Sequence, residues 1–160
     1  MENMYYIGLD VHKKTIGYCV KDGSGRIYAE AEIPATRLDL DMWMKTLPQP
    51  WTAAMETTIF TAWIYDHLKP HAAAVKVAHP LMLRAIAAAK KKNDRIDAHK
   101  IADCLRCNFL PECYMASTEI REQPGNNRGP KTRGGPDEVL AWCLFGVGFW
   151  RAPGRLSGTT

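Results

Sequence analysis

The sequence predicts an α/β domain built on a mixed five-stranded sheet. A three-strand antiparallel meander comes first, then alternating helices and strands, with the helices flanking the sheet. Three observations predict it. Two apolar runs and one alternating run are joined by short turns within the first 33 residues. From Thr36 the apolar period lengthens from two to between three and four, and short apolar runs then alternate with helical stretches. Beyond residue 118 the composition changes character. Residues 1–118 therefore form the predicted folded domain, and residues 119–160 a Gly/Pro-rich basic tail.

Tyr5 to Val11 reads as a buried strand, a short apolar and aromatic run that reaches an acid at Asp10. After a turn at His12-Lys13-Lys14, Thr15 to Val20 forms the second strand. Lys21-Asp22-Gly23-Ser24-Gly25 is a hairpin signal, because glycines supply the positive φ angles of tight turns. Arg26 to Ile33 alternates polar and apolar residues, as a half-exposed third strand does. Leu38, Leu40, Met42, Trp43 and Leu47 suit an amphipathic helix, capped by Thr36 and stopped by Pro48. Trp51 to Met55 is a fourth strand that runs into Glu56. Thr57 to Leu68 is predicted helical, Ala73 to Ala78 is a fifth strand, and Leu81 to Lys91 and Asp94 to Cys107 are two more helices.

The chemistry concentrates in acids at element ends. Asp94 and Asp97 are three residues apart, a spacing that puts both carboxylates on one helix face. Acids also favour a helix start through its dipole alone, so the pair is ambiguous by itself. Asp10 and Glu56, however, each close a strand. If the fourth strand lies beside the first, both emerge at one sheet edge, where a helix could deliver Asp94 and Asp97. Four converging carboxylates repel unless cations lie between them, which points to one or two Mg²⁺ or Mn²⁺ ions. Two such ions suit phosphodiester cleavage. Arg84, Lys90, Lys91, Lys92, Arg95, Lys100 and Arg106 set seven basic residues against three acids between 84 and 106. That surplus suits sequence-blind contact with a phosphate backbone, or else a solvated face.

Three segments together, Tyr6-Ile7-Gly8-Leu9-Asp10-Val11-His12-Lys13, Met55-Glu56-Thr57-Thr58 and Lys92-Asn93-Asp94-Arg95-Ile96-Asp97-Ala98, resemble the N-terminal domain of the DEDD transposases of insertion sequences. The resemblance runs in order from residue 4 to about 118. It implies the ribonuclease-H-like fold of Holliday-junction resolvases, with Asp10, Glu56, Asp94 and Asp97 as catalytic, metal-binding acids. It also implies DNA strand cleavage and rejoining in DNA transposition, with Mg²⁺ or Mn²⁺ as cofactor. DNA is the implied partner, joined by a structured guide RNA and by self-association with intact transposase copies.

The tail departs from that family. Residues 121–160 hold 12 of the 22 Gly and Pro residues, and 6 of the 21 basic residues against 3 of the 17 acids. Such composition argues for poor order. Family members continue with a coiled coil and a domain carrying a nucleophilic serine, whereas Ser24, Ser117 and Ser157 lie in no such context. A truncated or frameshifted copy is the expectation, with a non-catalytic DNA- or guide-RNA-binding remnant as the alternative. An actin-like or sugar-kinase ATPase fragment fits less well, because the turn after Asp10 has no glycine to approach phosphate.

Five cysteines at uneven spacing argue against a disulfide framework. Cys104 and Cys107 suggest zinc, with His99 and Cys113 as recruits, but two cysteines on a buried helical face is the simpler reading. His12 reads as a turn residue beside the first acid. With no signal-like N-terminus and no apolar run of about 20 residues, a cytoplasmic protein without membrane or small-molecule partners is expected.

Overall fold

A computed structural model describes residues 3–58, 60–87, 97–113 and 115. The chain order is β1 (Tyr5–Val11), β2 (Thr15–Lys21), β3 (Ile27–Pro34), α1 (Arg37–Met44), β4 (Trp51–Glu56), α2 (Thr61–Leu68), β5 (Ala74–Ala78), α3 (Pro80–Ala87), α4 (Ala98–Arg106) and β6 (Glu112–Cys113). The strands form one sheet in the order β3-β2-β1-β4-β5-β6. The meander is antiparallel, β4 and β5 run parallel to β1, and β6 returns antiparallel on β5. This is the expected mixed α/β, ribonuclease-H-like sheet with one strand more. The sixth strand is only two residues long and follows Pro111, too short to impose a period on the sequence.

Strands β1 and β4 fill the middle because both of their faces are apolar. Ile7, Leu9, Ala53 and Met55 point into the larger core, where Leu40, Trp43, Ile64 and Leu68 from α1 and α2 meet them. Gly8 and Ala54 occupy the opposite face, paired across the strands. There Ala54, Ala78, Leu83, Ile101 and Leu105 form a smaller core beneath α4. Helix α4 buries Ala98, Ile101, Ala102 and Leu105, a stripe at i, i+3, i+4 and i+7.

Three helices differ from their expected form. Leu38 and Met42 are exposed on α1. Each lies two positions from buried Leu40, about 200° round the helix, and so faces the opposite way. Helix α2 starts at Thr61 rather than Thr57, because the threonines before it bond elsewhere. The Thr57 hydroxyl and amide both donate to the Ala78 carbonyl, each at 3.1 Å, extending the link to β5. Threonine hydroxyls that find such partners compete with the helix ladder. Helix α4 starts at Ala98, with Asp97 as an extended N-cap at φ −109° and ψ 173°. Asp97 is thus the cap of α4 and not one of its helical residues. Residues 88–96 and the expected tail over 119–160 lie outside the described residues. Among those described, no helix is long and apolar enough to cross a membrane.

Candidate metal and nucleic-acid site

The parallel register pairs Leu9 with Met55, so Asp10 and Glu56 stand one step further along two neighbouring strands. Residues directly opposed in such a pair share a face. Gly8, Asp10, Ala54 and Glu56 therefore all look toward the side that α4 covers. The sheet end thus brings two carboxylates side by side at its C-terminal edge.

Helix α4 packs against the same face. A Cβ built on Gly8 would sit 1.9 Å from the Ala98 carbonyl oxygen and 2.5 Å from the Ala102 nitrogen. Only glycine lets backbone pack on backbone so closely. Along α4, His99 reaches Glu30, Asp103 reaches Lys21, and Arg106 reaches the carbonyl of Gly23. Its contacts thus descend β2 from Cys19 level to the hairpin, so α4 runs antiparallel to β1. Its N-terminus, with Asp97, is the end directed toward the edge that carries Asp10 and Glu56. The Asp97 carboxylate accepts from the Lys100 backbone N–H at 3.1 Å, a cap that leaves the second oxygen for other work.

Electrostatics at the edge favour a cation. Burial, opposed by Arg84 and reinforced by Asp10, pushes the Glu56 carboxyl above its ordinary value. The Arg84 guanidinium lies 3.7 Å from Glu56 and is largely exposed. His12 Nε2 donates to Asp10 Oδ2 at 3.0 Å, while its backbone N–H closes the β1–β2 turn onto the Thr15 carbonyl. The histidine is therefore both a turn residue and a brace for the first acid. Partly buried carboxylates beside the Arg84 guanidinium form a hard, oxygen-rich donor set of the kind that Mg²⁺ and Mn²⁺ prefer. The residues present fit such an ion.

Of the expected acids, Asp10 and Glu56 are adjacent, Asp97 heads the helix directed toward them, and Asp94 lies outside the described residues. Of the expected phosphate contacts, Arg84 stands beside Glu56 and Lys100 lies in the first turn of α4. Lys90, Lys91, Lys92 and Arg95 lie outside the described residues. The cysteine pair does not gather ligands. Cys104 packs on the smaller core, Cys107 is exposed, and His99 turns away to Glu30.

Sequence reasoning missed the support around Glu56. The Thr61 hydroxyl donates to the Glu56 carbonyl at 3.0 Å, and the Thr58 amide donates to the Thr61 hydroxyl at 2.8 Å. These bonds fix the strand end from which the carboxylate projects. Four hydroxyl-bearing or apolar positions between Glu56 and Thr61 look like an ordinary helix start, so no local signal marked them. Glycine in the middle of an apolar strand was a readable sign of close approach at Gly8.

A protein-family model described as a transposase, for the DEDD transposases of the IS110 type, matches residues 7–122. The match spans all four expected acids. No curated protein matches the chain.

Proposed function

Since the chain belongs to the DEDD transposase family of the IS110 type, we propose that it cleaves DNA strands for transposition in a reaction dependent on Mg²⁺ or Mn²⁺. Asp10, Glu56, Asp94 and Asp97 would hold the ions. The observation that carries this reading is the pairing of Asp10 with Glu56 at the ends of adjacent parallel strands, where burial and the neighbouring Asp10 raise the Glu56 carboxyl.

When bound, the divalent ions supply Lewis-acid polarisation of the scissile phosphate and a more acidic attacking water. The chain's own residues do the rest. The strand ends fix Asp10 and Glu56, and the packing of α4 on Gly8 fixes Asp97. His12 orients the Asp10 carboxylate through its ring N–H. Arg84 holds Glu56 in the metal-free protein, and it is free by its exposure to turn toward phosphate. Arg84, Lys100, Lys90, Lys91, Lys92 and Arg95 contact the backbone of DNA, or of a guide RNA, without reading its sequence. Residues 1–118 form the catalytic unit, and the basic residues of 119–160 add non-specific attraction. Self-association with intact transposase follows from the same reading.

The test is nicking of branched and linear DNA by the full chain with Mg²⁺ or Mn²⁺. Nicks that disappear with chelator and in Asp10→Asn support the proposal. Nicking unchanged in Asp10→Asn overturns it. DNA binding without nicking in any metal assigns the chain to nucleic-acid binding alone.

A further inference from the structure

A second group of ligating side chains lies on the same sheet face, on strands β2 and β3 and not at the strand ends that carry Asp10 and Glu56. Cys19 on β2 and Glu30 on β3 are direct cross-strand partners, so their side chains share a face. His99, in the first turn of α4, comes down onto them and pairs with Glu30. One ligand atom from each of the three, a thiol sulfur, a carboxylate oxygen and an imidazole nitrogen, lies within 4.8 Å of the other two. Cys19 is fully buried, whereas the side chains of Glu30 and His99 are about half exposed.

We propose that Cys19, Glu30 and His99 form a second cation site, selective for a thiophilic divalent ion such as Zn²⁺, that clamps the first turn of α4 to the β2–β3 hairpin. In a tetrahedral zinc site, bonds of about 2.0–2.3 Å separate ligand atoms by roughly 3.3–3.7 Å. With all three atoms within 4.8 Å of one another, small rotations of the half-exposed Glu30 and His99 side chains bring the triad to that spacing. Solvent on the His99 side provides a water for the fourth position. The donor set separates this site from the acids at the strand ends. Thiolate and imidazole select Zn²⁺, whereas an all-oxygen set selects Mg²⁺ or Mn²⁺.

The surroundings suit a positive ion. Glu30, Asp97 and Asp103 all act on the Cys19 sulfur, against the single ammonium of Lys21. Burial raises the thiol to about 11, so the metal-free side chain keeps its proton. Binding replaces the S–H bond by an S–metal bond and releases one proton to water, with no change of oxidation state. The ring so closed joins three elements at a point two residues past Asp97. It would stiffen the helix start on which the proposed catalytic site depends, without using any of that site's ligands.

Co²⁺, a spectroscopic stand-in for Zn²⁺, tests this on the full chain and on a chain with Cys104, Cys107, Cys113 and Cys143 replaced by Ser. Both should bind one equivalent with near-ultraviolet thiolate-to-cobalt absorption and intense tetrahedral visible bands. Zn²⁺ should displace it at stoichiometric level, and a hundredfold excess of Mg²⁺ should not. His99→Asn and Glu30→Gln, at exposed positions, should each weaken binding at least tenfold in the otherwise native chain. Absence of the thiolate band, or a band indifferent to His99→Asn, overturns the proposal. Cobalt bound without that band and displaced by Mg²⁺ belongs to the strand-end acids and likewise overturns it.

Discussion

Replacing Gly8 by alanine isolates the contact that places α4 over the sheet. The new Cβ would meet the Ala98 oxygen at 1.9 Å and the Ala102 nitrogen at 2.5 Å, both backbone atoms that no rotamer change can move. Reaching even the 3.0 Å floor of real Cβ contacts requires α4 to shift by about 1.1 Å. Leu83, Ile101 and Leu105 hold α4 down, each contributing roughly 1.5–3 kcal/mol by burial. A gap of 0.5–1 Å forfeits about a quarter to a half of a dispersion well. The expected loss is therefore about 1–4 kcal/mol, in line with the roughly 1–3 kcal/mol typical of overpacking. Because burial still exceeds the strain, α4 should be displaced and not released. Thermal unfolding followed by circular dichroism should show Tm lower by roughly 5–15 °C. The displaced helix carries Asp97 with it, and a misplacement of about 1 Å can slow catalysis about a hundredfold. A Gly8→Ala protein that unfolds within about 0.5 kcal/mol of wild type would refute the close-packing argument and the placement of Asp97 derived from it.

Three further outcomes follow from the same geometry. Asp97→Ala should lose about 1 kcal/mol of stability with its cap, while Asp97→Asn keeps the cap and still loses metal binding and nicking, as denaturant melts beside calorimetry would show. Burial raises the Glu56 carboxyl, so below its ordinary value both folded and unfolded chains are protonated and no penalty exists. As pH rises through the raised folded value the buried charge destabilises the metal-free fold; Glu56→Gln should therefore match or exceed wild type in Tm at neutral pH and lose that slope, whereas saturating Mg²⁺ should stabilise wild type alone. Lys21 is buried and paired with Asp103 at 2.7 Å, so Asp103→Ala strands a buried ammonium and should cost roughly 1–2 kcal/mol after allowance for the half-exposed aspartate, while Lys21→Met should cost less, a ranking that urea titrations decide.

The meander, the parallel strands and the placement of Asp10 and Glu56 were legible because each rests on local apolar runs and turns. Gly23 and Gly25 announced the hairpin, and the apolar run Trp51 to Met55 announced a strand. What escaped were features set by neighbours remote in sequence. Leu38 and Met42 fit an amphipathic pattern but sit on the wrong side of a short helix. Thr57 fits a helix start, yet its hydroxyl belongs to Ala78 on β5. Asp97 reads as a helical residue spaced from Asp94, and its cap geometry reassigns it. Lys21 reads only as part of the hairpin signal, but it is buried and Asp103 answers its charge. His99 was weighed as a partner for distant cysteines, whereas the sheet register sets it beside Cys19 and Glu30.

In the proposed site, carboxylates at adjacent strand ends and at the head of α4 bind divalent ions together. Calorimetric titration of Mn²⁺ into the wild-type chain, Asp10→Asn and Asp97→Asn decides the matter. The wild type should bind saturably, and each variant at least tenfold more weakly, with their folds intact by circular dichroism. Equal affinity in all three proteins would contradict it.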